Sequence, residues 1–162
     1  MKKINSFSFQ GVSGAYSELA GKKLFPLASS YPCSTFEDMF EQVRLGNVDA
    51  AMVPIENSLA GRVADIHYLL PKYKLQIHAE HFQAVEHNLL AKKDADIKDI
   101  KFVRSHAQAI GQCQKLILKK KYKTIVSADT AGSAKELAEG KEKNIAAIAS
   151  KLSAEIYDLK IL

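Results

Sequence analysis

Short apolar runs alternate with amphipathic stretches along almost the whole chain, and this rhythm constrains the fold more than any other feature. Strands that alternate with helices build parallel sheets joined by crossovers. Ser6–Gln10 reads as a strand and residues 15–24 as a helix. Residues 34–45 carry the clearest helical signature: Ser34 stands three residues before Glu37, a capping box. Phe36, Met39, Phe40 and Val43 follow at helical spacing, and Gly46 supplies the stop. Residues 50–53 read as a short buried strand and residues 63–70 as a short helix ended by Pro71. Residues 75–82 alternate loosely and predict a longer strand. The second half repeats the rhythm, with strands at 101–104, 124–126, Ile145–Ala149 and 159–162. Helices are predicted between them at 108–119, Thr130–Glu139 (closed by Gly140) and 151–157. A chain of 162 residues makes one domain or two small lobes; the lobes are expected at residues 1–75 and 76–162.

Several strands run into the next helix through small or hydroxyl residues. The segments are Gly11-Val12-Ser13-Gly14, Glu56-Asn57-Ser58, Ser105-His106-Ala107-Gln108, Ala128-Asp129-Thr130-Ala131 and Ala149-Ser150. Each is expected to place free backbone N–H groups and a helix N-terminus at a sheet edge, where anions are attracted. Ligands of open α/β sheets bind at the carboxyl ends of the strands. Residues 54–63 stand out among these segments. An acid, an amide and a hydroxyl follow one another there after an apolar run, a poor composition for a core and a good one for a site.

Charge and composition exclude several classes. The net charge of +5 comes largely from lysines at 115, 119, 120, 121, 123, 135, 141 and 143. Only Tyr122 interleaves the first cluster and arginine is scarce, which argues against a nucleic-acid surface and for a solvated face with a mild positive field. No apolar stretch approaches the ~18 residues of a spanning helix, so no membrane partner is expected. Asn5, Ser6, Ser8 and Gln10 interrupt the run that a secretory signal needs, so the expected location is cytoplasmic. Cys33 and Cys113, far apart and without a CxxC, read as reduced thiols.

Individual motifs leave alternatives open. Residues 9–17 lack the spacing of a GxGxxG loop and the lysine of a P-loop, and a tight strand–helix turn explains them equally well. Gln108 and Gln112, four apart, share a helix face and bind a carboxylate or hydroxyl without adding charge, or are plain surface residues. His106 is a possible general base, yet no serine–histidine–acid order is legible. His78, Glu80, His81 and His87 match no metal template and read as a solvated strand edge, so no metal is expected. A buried Glu56 would serve as a general acid through a raised pKa, or pair with Arg62 or Lys22.

Together these motifs resemble the prephenate dehydratases. The resemblance rests on residues 9–17, on Val53-Pro54-Ile55-Glu56-Asn57-Ser58 with Gly61 and Val63, and on Ser105-His106 with Gln108, Gln112 and Cys113. It continues through Asp129-Thr130-Ala131-Gly132-Ser133-Ala134 and ends on Ala146-Ala147-Ile148-Ala149-Ser150 with Tyr157 and Leu159. These occur in the family's order and span nearly the whole chain.

The resemblance implies two α/β lobes of the type 2 periplasmic-binding-protein kind, with mostly parallel sheets, helices on both faces and a cleft between the lobes. It implies decarboxylating dehydration of prephenate, a dicarboxylate, to phenylpyruvate in phenylalanine biosynthesis. No cofactor is implied, and a homodimer is. Ser13, Gly14, Ala15, Asn57, Ser58, Ser105, His106, Gln108, Gln112, Thr130 and Ala131 would contact substrate, with Glu56, Asn57 and Gln112 supporting catalysis. The chain departs from the family's pattern at Ala107, where proline is usual. It also contains no Thr-Arg-Phe, whose threonine is the family's key hydroxyl. It is therefore expected to be cut before that motif, without the return segment to the first lobe and without the regulatory ACT domain. The competing expectation is a non-catalytic small-carboxylate binding module of the same fold.

Overall fold

The computed structural model describes residues 3–162; Met1 and Lys2, part of the basic N-terminal stretch, lie outside the described residues. The chain divides into two compact units. The first holds residues up to Val12 together with Tyr16–Ala84, and the second holds Ser13–Ala15 with Val85–Leu162. The division falls after Ala84, whereas the sequence reading places it after residue 75.

The first unit is built on a three-stranded parallel sheet. Its central strand β1 (Ser6–Gln10) lies between β2 (Ser29–Cys33) and β3 (Ala50–Met52). Phe7, Ser8 and Phe9 are all fully buried, as expected for a strand covered on both faces. The buried Ser8 hydroxyl donates to the Met39 carbonyl at 2.9 Å, so it enters the core satisfied. Helices α1 (Tyr16–Leu24), α2 (Phe36–Arg44) and α3 (Ala64–Tyr73) complete the unit with a hairpin of β4 (Glu56–Asn57) and β5 (Gly61–Arg62). Met39, Phe40, Ile66 and Leu69 join α2 to α3.

Four expectations change here. Strand β2 is absent from the sequence reading because Ser-Ser-Tyr-Pro-Cys has no alternation; it is a half-exposed edge, where Pro32 needs no ladder N–H. Helix α2 is capped by Thr35, whose Oγ1 accepts from the Asp38 N–H at 3.0 Å, one residue later than the Ser34 box. Pro71 lies inside α3, and the helix ends at Lys74 in the left-handed region. Pro71 has no N–H for the His67 carbonyl one turn back, and His67 is an exposed residue. The strand expected at 75–82 does not form. Residues 75–87 carry no ladder, and Ile77 and Phe82 are 71% and 87% exposed.

The second unit has a five-stranded sheet in the order β10-β6-β9-β7-β8. Strands β7 (Phe102–Ser105), β8 (Lys123–Val126) and β9 (Ile145–Ala149) run parallel. Strand β6 (Asn88–Ala91), not expected from the sequence, pairs antiparallel with β9, and the edge strand β10 (Lys160–Ile161) pairs antiparallel with β6. Helices α4 (Ala107–Gln112), α5 (Gln114–Lys120), α6 (Thr130–Glu139) and α7 (Lys151–Ile156) connect them. The helix expected at 108–119 is broken at Cys113, whose ψ of 9° leaves helical geometry two residues after Gly111. Small residues let α6 approach β9 closely: Ala134 and Leu137 pack on Ala147 and Ala149. Among the described residues no helix is long and apolar enough to cross a membrane.

Candidate functional site

Three neighbouring parallel strands of the second unit end at one sheet edge, and each releases a helix there. Every junction is capped by a side chain. His106 Nδ1 accepts from the Gln108 N–H at 3.3 Å at the start of α4. Asp129 Oδ1 accepts from the Gly132 N–H at 2.6 Å at the start of α6. Ser150 Oγ accepts from the Ser153 N–H at 3.0 Å at the start of α7. The caps explain why these segments are rich in hydroxyl, amide and acid groups.

The segment Ser13–Ala15 is fastened to the same edge. The carbonyl of Gly14 accepts from the hydroxyls of Ser150 at 2.6 Å and Ser153 at 3.0 Å. The Tyr157 hydroxyl donates to the Ser13 carbonyl at 2.7 Å. Gly14 has φ +96°, and a Cβ there would lie 2.4 Å from Ser153 Oγ, so the close approach requires glycine.

Of the residues singled out in the sequence, Ser13, Gly14, Ala15, Ser105, His106, Gln108, Gln112, Thr130 and Ala131 belong to this unit. Ser105 is fully buried and its hydroxyl donates to the Ile148 carbonyl at 2.7 Å, tying β7 to β9. Gln108 and Gln112 are exposed and lie four apart on α4. Thr130 and Ala131 open α6, where the first N–H groups have no intrahelical acceptor. Burial raises the Cys113 thiol above its ordinary value, and burial with the nearby Asp38 does the same for Cys33. Both therefore stay protonated and weakly nucleophilic at neutral pH.

Glu56, Asn57 and Ser58 lie in the first unit, in the β4–β5 hairpin rather than at a helix start. The Asn57 Oδ1 accepts from the N–H groups of Leu59 at 2.9 Å and Ala60 at 3.0 Å, which closes the turn. Glu56 is exposed and opposite Arg62 in the ladder, so the expectation of a buried carboxylate is corrected. Among the described residues the buried acid is Glu18, 2% exposed, which takes the Ser30 hydroxyl and Lys22 at 2.8 Å each. Lys22 is thus engaged by Glu18 and not by Glu56.

Two features escaped the sequence reading. One is the clasp of Ser150, Ser153 and Tyr157 on the Gly14 loop, whose local signal is the Ser-x-x-Ser spacing after β9. The other is His87, whose Nε2 stands 2.6 Å from Gln112 Oε1.

The prephenate dehydratase family model matches residues 7–162. A protein of Arabidopsis thaliana named arogenate dehydratase/prephenate dehydratase 2, chloroplastic, is 41% identical over 96% of this chain and 41% of its own length. A Komagataeibacter europaeus protein named bifunctional N-acyl-homoserine lactone acylase/prephenate dehydratase is 42% identical over 96% of the chain and 55% of its own length. The crystal structure of a prephenate dehydratase from Arthrobacter aurescens in complex with L-Phe is 30% identical, with a TM-score of 0.87. That match covers 97% of this chain and 54% of the solved one. The chain thus spans about half or less of the length of these relatives.

Proposed function

This chain belongs to the prephenate dehydratase family, and we propose that it binds prephenate and serves its conversion to phenylpyruvate, carbon dioxide and water. The observation that carries the reading is the shared edge of β9, β7 and β8, where three helix starts, each capped by a side chain, lie beside the clasped Gly14 loop. Prephenate carries two carboxylates, which only accept hydrogen bonds. The side-chain amides of Gln108, Gln112 and Asn57, the Ser58 hydroxyl and the backbone N–H groups of Ala15, Thr130 and Ala131 are all donors, and none adds a formal charge. Loss of the ring carboxylate and the ring hydroxyl makes the ring aromatic. The protein must therefore orient the ring and supply a proton to the departing hydroxide. Glu56, Asn57 and Gln112 support that orientation in this reading. A cytoplasmic homodimer completes it.

The polypeptide carrying this chain, incubated with prephenate at neutral pH, is expected to yield phenylpyruvate. Arogenate is the comparison substrate, because it stands in the name of the Arabidopsis relative. Absence of both product and prephenate binding in that polypeptide would remove the proposal.

Asn57 permits a sharper test, because its two ends do different work. Asn57→Asp keeps the oxygen that closes the turn and exchanges the N–H donor for a negative charge. Expected is a melting temperature close to that of the parent with prephenate affinity weakened by about tenfold or more. Unchanged affinity would reduce Asn57 to a turn residue.

A further inference from the structure

We propose that His87 is a positioning residue that fixes the Gln112 amide with its N–H donors turned toward an anionic substrate group, an inference that rests on reading Gln112 as a substrate contact. Its place follows from β6, the strand of the second sheet that runs against both of its neighbours. Strand β6 is antiparallel to β9, with Asn88 opposite Ala149. One step before Asn88, the chain reaches the edge where Ser150 begins α7, so the amino end of β6 meets the carboxyl ends of β9, β7 and β8. There the half-buried His87 ring stands with Nε2 2.6 Å from Gln112 Oε1. Asn88 donates to the Glu86 carbonyl at 3.1 Å and shapes the backbone on either side of His87.

The chemistry of the pair is directional. An amide oxygen only accepts, so the imidazole is the donor in this bond. Once Oε1 is occupied, both N–H groups of the amide are left for another acceptor. An unrestrained glutamine on an exposed helix face rotates freely about its last torsion and presents its oxygen as readily as its nitrogen. A carboxylate is attracted by one orientation and repelled by the other. His87 removes the repelling one before the ligand arrives, and pre-organisation of this kind strengthens binding without a new contact.

Three variants separate this role from a structural one. His87→Phe keeps a flat ring and loses the donor. His87→Gln places an N–H donor near the position of Nε2. In calorimetry with prephenate, His87→Phe is expected to raise Kd several-fold and His87→Gln to restore it to within about twofold of the parent. In a Gln112→Ala background His87→Phe is expected to change nothing, since the amide it orients is gone. A parental Kd in His87→Phe, or an undiminished effect in the Gln112→Ala background, would overturn the proposal. The side-chain amide resonances of Gln112 in the ligand-free protein decide it even if prephenate does not bind. They should shift in His87→Phe and return in His87→Gln, and no shift in His87→Phe overturns the orientation. A parent that fails to bind prephenate while showing that shift would instead remove the substrate reading.

Discussion

Gly14→Ala is expected to destabilise the second unit by several kcal/mol, roughly 2–5. Two independent penalties meet at this residue. Its φ of +96° is a conformation that L residues adopt only with strain, at about 1–2 kcal/mol. The added Cβ would also lie 2.4 Å from Ser153 Oγ and 3.0 Å from Ser153 Cα. Relief requires the loop to lift off α7, which breaks the bonds from Ser150 and Ser153 to the Gly14 carbonyl. Overpacking of this kind costs roughly a further 1–3 kcal/mol. Gly46→Ala is the control. It shares the positive φ, at +74°, and has open space around the new carbon, so only the backbone penalty applies. Urea unfolding of both variants checks the argument. Equal losses would show that the clasp contributes nothing.

Gly21→Ala is expected to destabilise the first unit by about 2 kcal/mol, although glycine-to-alanine exchange inside a helix ordinarily gains about 1 kcal/mol. The reason is Phe7. A Cβ on Gly21 would meet the ring at 2.2 Å from Cε2 and 2.4 Å from Cζ. That ring is fully buried, and its neighbours Phe9 and Phe25 stand with centroids 6.4 and 6.5 Å away, so it has nowhere to turn. Phe7→Leu, damaging alone, should rescue part of the loss in the double variant, a coupling read from a four-protein unfolding cycle. A neutral or stabilised Gly21→Ala would mean that helix propensity outweighs the packing of α1 on β1.

How much of this was legible in the sequence depends on where the information lies. Strand β9 and helix α6 match their predicted limits because Ile145–Ala149 is apolar throughout and Asp129 and Gly140 bracket a periodic run. The capped junctions were legible too, since capping uses the same small polar residues that suit a site. Strand β2 was not, because an edge needs no apolar alternation and tolerates Pro32. Strand β6 is short, and its assignment depends on the long-range pairing of Asn88 with Ala149. The hairpin at Glu56–Asn57 hides behind a segment that looks like a strand running into a helix. The Ser-x-x-Ser spacing marks only one side of the clasp on Gly14; its partner lies 136 positions away, and His87 and Gln112 lie 25 apart, so no local pattern pairs them.

The proposed role of the capped edge and the clasped loop is to hold a dicarboxylate of the prephenate type. Calorimetric titration of the chain with prephenate, alongside Gln112→Ala, tests it most directly. Expected is saturable binding by the parent, and at least about tenfold weaker binding by Gln112→Ala with an unchanged melting temperature. No heat of binding in the parent, or equal affinity in Gln112→Ala, would contradict it.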